Sequence, residues 1–200
     1  MHRSTAAFAV AALLLGGAAT AAAQGHAAGH DTPPAVTIPE GAGYTAPDVH
    51  FMQGMIAHHA QAIHMSRMAA DRRADPRLLR LAEKIGQSQV AEIAIMQDWL
   101  LRNGQAAPDT SSWRTMHMTG MLTPAQLDTL DAATGAAFDR AFLTFMIQHH
   151  EGALLMVEEL FATAGAGQDV DVNVFANDVV AVQTAEIGAM RRMLSELSDR

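Results

Sequence analysis

The sequence has no cysteine and a single lysine, Lys84. Without cysteine there is no disulfide, thiolate zinc site, iron–sulfur cluster, cysteine nucleophile or cysteine-linked lipid anchor. Aromatic residues make up only 5%, with one tyrosine and two tryptophans. Basic residues are scarce as well: 13 Lys+Arg face 21 Asp+Glu, for a net charge of −8. That balance excludes the basic footprint on which nucleic-acid binding depends. Beyond the N-terminal region no apolar run is long enough to span a membrane. Methionine and histidine, in contrast, are abundant, with 13 and 10 residues. They supply thioether and imidazole ligands for soft and borderline metals, although methionine is also an adaptable core filler. Half the chain is hydrophobic, enough for one folded domain.

Residues 1–23 place Arg3 before an apolar, alanine-rich run and end with Ala21 and Ala23 in an A-x-A arrangement. This reads as a secretory signal peptide, too short for a membrane anchor, and predicts a periplasmic or extracellular protein. Residues 24–44 carry Gly, Pro and Ala without periodicity and read as a flexible leader. Cleavage after Ala23 would expose Gln24-Gly25-His26. Its free amine, two backbone amides and the His26 imidazole form a square-planar nitrogen set suited to Cu(II) or Ni(II). Cyclisation of Gln24 would abolish it.

The dominant pattern is an internal repeat. Residues 51–65, FMQGMIAHHAQAIHM, match 142–156, FLTFMIQHHEGALLM, at seven of 15 positions. Residues 85–100 match 179–194 at six of 16, including the run Ala-Glu-Ile and the Met after it. Two copies are too few for a solenoid. They predict an all-α domain over 45–200, a ferritin-like four-helix bundle of two αα-hairpins (about 48–103 and 139–197) joined by a long crossover. Helix signals agree with it. Thr45-Ala46-Pro47-Asp48 and Asp75-Pro76 open helices to about Asp71 and Asn103, and Thr123-Pro124 opens a short one. Further helices are predicted over about 136–164 and 171–197.

Helical spacing puts Met55, His59 and Ala62 on one face, with His58 and Met65 on its shoulder. The second copy repeats this with Met146, His150 and Ala153, flanked by His149 and Met156. The apolar stripe must face the core, so at least one His per copy is expected to be buried. His64 points the other way and has no counterpart in the second copy, which predicts a surface position. In the partner helices, Gln89, Glu92, Met96 and Trp99 share a face, as do Gln183, Glu186, Met190 and Met193. A carboxylate on a Met-lined face needs a partner, and the histidines are the available ones. A Glu accepting from one imidazole nitrogen fixes the tautomer and frees the other nitrogen for a metal. Each copy therefore presents a Met-x2-His-His-x5-Met set: Met55, His58, His59, Met65 and Met146, His149, His150, Met156, with Glu92 and Glu186 behind the histidines. Copper suits such soft ligands. Met116, His117, Met118 and Met121 in the crossover form a second candidate cluster, equally readable as a Met-rich cover over the bundle end.

The segments FMQGMIAHHAQAIHM, QVAEIAIMQDWL, HMTGMLTPAQL and FDRAFLTFMIQHHEGALLM resemble a bacterial family catalogued as domain of unknown function 305. The similarity covers roughly residues 45–197. It implies a ferritin-like fold and export, and one periplasmic branch implies copper binding and resistance through Met and His at the paired positions above. Gly54 and Ala57 depart from the second copy, which has Phe145 and Gln148.

Three functions follow for weighing. The first is an exported copper-binding protein that buffers or transfers the ion, with other copper-handling proteins as partners and a homo-oligomer left open. The second is a di-metal oxidoreductase, but the Glu-x-x-His motif of di-iron bundles is missing from the sequence. The third is a structural or interaction bundle whose His–Glu pairs set register. Hydrolase motifs are missing too, and Glu151, a conceivable base, is Ala60 in the other copy.

Overall fold

A computed structural model describes residues 36–198; the expected signal peptide, His26 and residues 24–35 of the leader lie outside them. The described residues form five α-helices and no strand: α1 (Ala46–Met68), α2 (Pro76–Arg102), α3 (Pro124–Ala132), α4 (Ala136–Ala162) and α5 (Val170–Ser198). Helices α1 and α2 form one hairpin and α4 and α5 the other, with α1 packed on α4. No described helix is long and apolar enough to cross a membrane.

The helix starts follow the sequence signals. Asp48 accepts the Thr45 N–H at 2.7 Å and Pro47 fills the first turn of α1. Asp75 accepts from the Arg77 N–H ahead of Pro76. Asp169 accepts from the Asp171 and Val172 N–H groups and from the Trp99 indole at 3.0 Å, tying α5 to α2. Asp48 also accepts the Gly167 N–H at 2.6 Å, so one carboxylate holds both the start of α1 and the turn between α4 and α5. α1 ends at Met68, and a 3-10 turn carries the chain on to Asp71.

Residues 51–63 of α1 are buried on every side, the pattern of a central helix rather than an amphipathic one. The crossover supplies the missing cover. Gln61 holds both backbone groups of Leu122, accepting from its N–H at 2.7 Å and donating to its carbonyl at 3.0 Å. Gln53 donates to the Ala106 carbonyl at 2.8 Å. His64 is consequently not a free surface residue: it is half-buried and stacks on Trp113, with ring centroids 4.8 Å apart. The end of the expected leader is also held. Tyr44 packs edge-on against Trp99 and donates to the Asn103 carbonyl, while Val36, Ile38 and Ala42 rest on the core. Apolar burial and these bonds fix residues 36–44 where composition alone suggested a loose segment.

Two apolar clusters fill the interior. One gathers Val49, Met55, Met96, Trp99, Met156 and Phe175, the other Met65, Leu78, Ile85, Phe142, Met146 and Met190. Membership shows that α1 and α4 run antiparallel, since the start of each meets the end of the other. Between the clusters lies a layer of buried polar side chains.

Candidate metal centre

That layer is built from the two His-His pairs and the polar positions of α2 and α5. His58, His59, His149 and His150 are all fully buried, and Gln89, Gln183 and Glu186 are nearly so. The rings of His58 and His149 lie against each other where α1 meets α4, with centroids 3.8 Å apart. Each has its neighbour at the same separation: His58–His59 and His149–His150 are both 6.4 Å apart with a 56° tilt. Four imidazoles thus run across the core with near-twofold symmetry, and the two repeats meet at one centre.

The outer rings are anchored by carboxylates of their own hairpins. His59 Nε2 is 2.6 Å from Glu92 Oε2, and His150 Nε2 is 3.0 Å from Glu186 Oε2. A carboxylate only accepts, so Nε2 carries a proton, and in a neutral ring that tautomer leaves the lone pair on Nδ1. His58 Nε2 donates to the Thr119 carbonyl at 3.1 Å, which leaves Nδ1 unprotonated there too. Lys84, the lone lysine, stands 3.6 Å from Glu186 Oε1, so that carboxylate has a second partner that the sequence reading did not assign to it.

Burial sets the charge of the inner pair. Desolvation, followed by the neighbouring His59 and His150, lowers the pKa of His58 to about 3 against the upward pull of its bond to Thr119. Desolvation and the three other histidines also hold His149 well below the ordinary value. Both rings are neutral near pH 7, so little proton competition stands between them and a Lewis acid.

The layer is rich in unanswered polar atoms. Nδ1 of His58, His59 and His150, both ring nitrogens of His149, Gln89 Oε1 and the Gln183 amide are buried without hydrogen-bond partners. Left unpaired, each such group would cost about 1–3 kcal/mol, and their concentration in one layer fits a site for a ligand. Among the described residues no three His or carboxylate side chains converge as a ready-made metal site. An ion there would draw on thioether sulfur or on fewer nitrogens.

The sequence profile of a family described as domain of unknown function (DUF305) matches residues 48–194. The chain belongs to this family. Solved structures of DUF305 proteins share its fold. A candidate secreted protein from Streptomyces coelicolor is 30% identical, with a TM-score of 0.66 over 76% of this chain and 94% of that one. A fragment from Deinococcus radiodurans is 29% identical, with a TM-score of 0.68 over 76% and 98%. CopM in its Cu(I)-bound form is 29% identical, with a TM-score of 0.60 over 74% and 96%, and CopM has also been solved with Cu(II) and with Ag. No curated protein matches the chain.

The methionines of this DUF305 chain sort differently from the linear motif. Met55 and Met65 are ten residues apart, about 15 Å along one helix, and lie in different apolar clusters. The same holds for Met146 and Met156. One Met-x2-His-His-x5-Met set therefore cannot close on one ion. The structure instead groups Met55 with Met156 on one side of the histidine layer and Met65 with Met146 on the other. Met55 and Met146, one helical turn before the histidines, are the thioethers nearest to them along each helix.

The crossover cluster is likewise divided. His117 is exposed and Met116 half-buried. Met121 turns its sulfur to the Met118 N–H at 3.3 Å, while Met118 reaches α1 and packs on the first cluster. Glu151 faces outward and pairs with Arg191 at 2.6 Å, away from the histidines.

Two glycines that the sequence reading passed over position the site. Gly120 has φ +82° and packs its Cα against Gly152 of α4; a Cβ on Gly152 would come within 2.2 Å of the Thr119 oxygen. This backbone contact is what lays the Thr119 carbonyl over His58. The available signal was a glycine in mid-helix two residues after the second His-His pair, a position that costs helix stability unless something approaches closely.

Proposed function

We propose that this protein is an exported metal-binding protein that holds copper in the histidine layer and buffers it or passes it on. The observation that carries this reading is the layer of four fully buried imidazoles whose Nδ1 atoms have no hydrogen-bond partner, flanked by methionine. His58 and His149 would hold the ion at the centre, with His59 and His150 beside them and Met55 and Met146 as sulfur donors. Glu92 and Glu186 orient the outer rings through Nε2, which keeps Nδ1 available. Copper accepts imidazole in both oxidation states, and Cu(I) also favours thioether. The similarity to CopM, whose structures contain Cu(I), Cu(II) and Ag, supports the choice of metal. The signal-like first 23 residues and the candidate secreted relative support export.

An anaerobic Cu(I) titration of the purified mature protein against a chromophoric chelator tests the proposal. Stoichiometric uptake is expected, with affinity lowered at least ~10-fold in His58→Ala/His149→Ala, as loss of ligand-shell groups implies. A wild-type protein that leaves all Cu(I) with the chelator, or a double variant that binds equally well, overturns it.

A further inference from the structure

A surface pocket of about 310 Å³ opens where the start of α1, the end of α4 and the crossover meet. Three potential metal ligands from three elements line it: His50 of α1, Met118 of the crossover and Met156 of α4, together with Glu159 and the apolar Phe51 and Leu160. The two methionines meet at Gly54. A Cβ there would sit 2.7 Å from Met118 Cε and 3.5 Å from both Met118 Sδ and Met156 Cε. The missing side chain admits both thioethers to one spot, which accounts for glycine where the second copy has Phe145. His50 is one helical turn before Gly54, on the same face. It is exposed, Met118 is half-buried and Met156 nearly buried, so the donor set grades from solvent to core.

We infer that this pocket is a separate surface site for a soft monovalent metal ion, Cu(I) or Ag(I), held by the His50 imidazole and the Met118 and Met156 sulfurs. Thioether donors select such ions over hard divalent cations, and Glu159, which also lines the pocket, adds a negative charge that favours a cation. The chain links the site to the buried centre: Met118 is joined by one peptide bond to Thr119, whose carbonyl holds His58. The inference rests on the metal-binding reading above and extends it to a point of uptake at the surface.

The test uses mature protein labelled with ¹³C at the methionine methyls, titrated with Ag(I), which has no redox chemistry to confuse the readout. The signals of Met118 and Met156, assigned by their loss in Met118→Leu and Met156→Leu, should shift with the first equivalent. Met→Leu nearly conserves volume and is tolerated in packed sites, so both variants should keep the wild-type circular dichroism. Met118→Leu and His50→Ala should each lower Ag(I) affinity at least ~10-fold, the scale on which metal sites respond to lost partners. If Ag(I) is taken up while the Met118 and Met156 signals stay fixed, the pocket is not a site and the buried centre stands alone. If neither Ag(I) nor Cu(I) is taken up, both readings fall.

Discussion

Gly152 decides how closely the crossover approaches α4. In an open helix, Gly→Ala would stabilise by about 1 kcal/mol through backbone entropy. Here the added methyl meets the Thr119 oxygen at 2.2 Å and the Gly120 Cα at 2.5 Å, both backbone atoms that cannot step aside as a side chain would. Overpacking of this kind costs about 1–3 kcal/mol, so the clash wins. Gly152→Ala is expected to lower the urea midpoint and weaken Cu(I) binding, because Thr119 loses its place over His58; an unchanged or higher midpoint would refute this. His58 carries a second prediction. Its pKa falls from the ordinary 6.5 to about 3 on folding, so the unfolded chain binds more protons between those values and stability rises with pH there. The metal-free protein should hold full stability above pH 6.5 and lose it progressively towards pH 3, with His149 acting in the same direction. Carboxylates titrate near 4, so loss between pH 6.5 and 5 reports the imidazoles. Denaturant titrations in EDTA at pH 7.5, 6.5 and 5.5 measure it, and equal values would count against a neutral buried pair.

The two hairpins are near copies, yet their His–Glu pairs differ in setting. The Glu186 side chain is 4% exposed and Glu92 19%. Glu→Gln keeps an oxygen acceptor for Nε2–H and removes the charge that makes the imidazole a better donor to metal. Such outer partners are typically worth 10–100-fold in affinity, and the less solvated carboxylate should matter more. Glu186→Gln is therefore expected to weaken Cu(I) binding more than Glu92→Gln, with the helical circular dichroism retained; the reverse order in competition titrations would contradict it. At this scale much was legible in the sequence. Pro47, Pro76 and Pro124 with their acidic or hydroxyl neighbours marked helix starts, and spacing put Glu92 and Glu186 opposite the histidines. Periodicity, however, gives the face of each helix and not which helices meet. The His58–His149 contact, the regrouping of Met55 with Met156 and the stacking of His64 on Trp113 depend on how α1, α4 and the crossover assemble. The close contact of Gly120 with Gly152 depends on backbone approach, which leaves only a bare glycine in the sequence.

For the whole molecule, the consequence lies in where the polar layer sits. It separates two apolar clusters and joins both hairpins through His58 and His149. A nitrogen left unpaired in that layer subtracts from the stability that the clusters provide, and a bound ion would restore it. On the proposed function, an ion bound there would contact both repeats and be lost when they separate, which would make binding and folding one equilibrium. At a free concentration 100 times Kd, linkage adds about 2.7 kcal/mol, or roughly 5–10 °C in Tm for a domain of this size. A purely structural role for the His–Glu pairs predicts no such increment, because those bonds are made without metal. Thermal unfolding of the mature protein with and without Cu(I) under anaerobic conditions separates the two. The wild type should gain several degrees, and His58→Ala/His149→Ala should gain little, even where its metal-free Tm differs. An equal gain in both would place the stabilising ion outside the histidine layer.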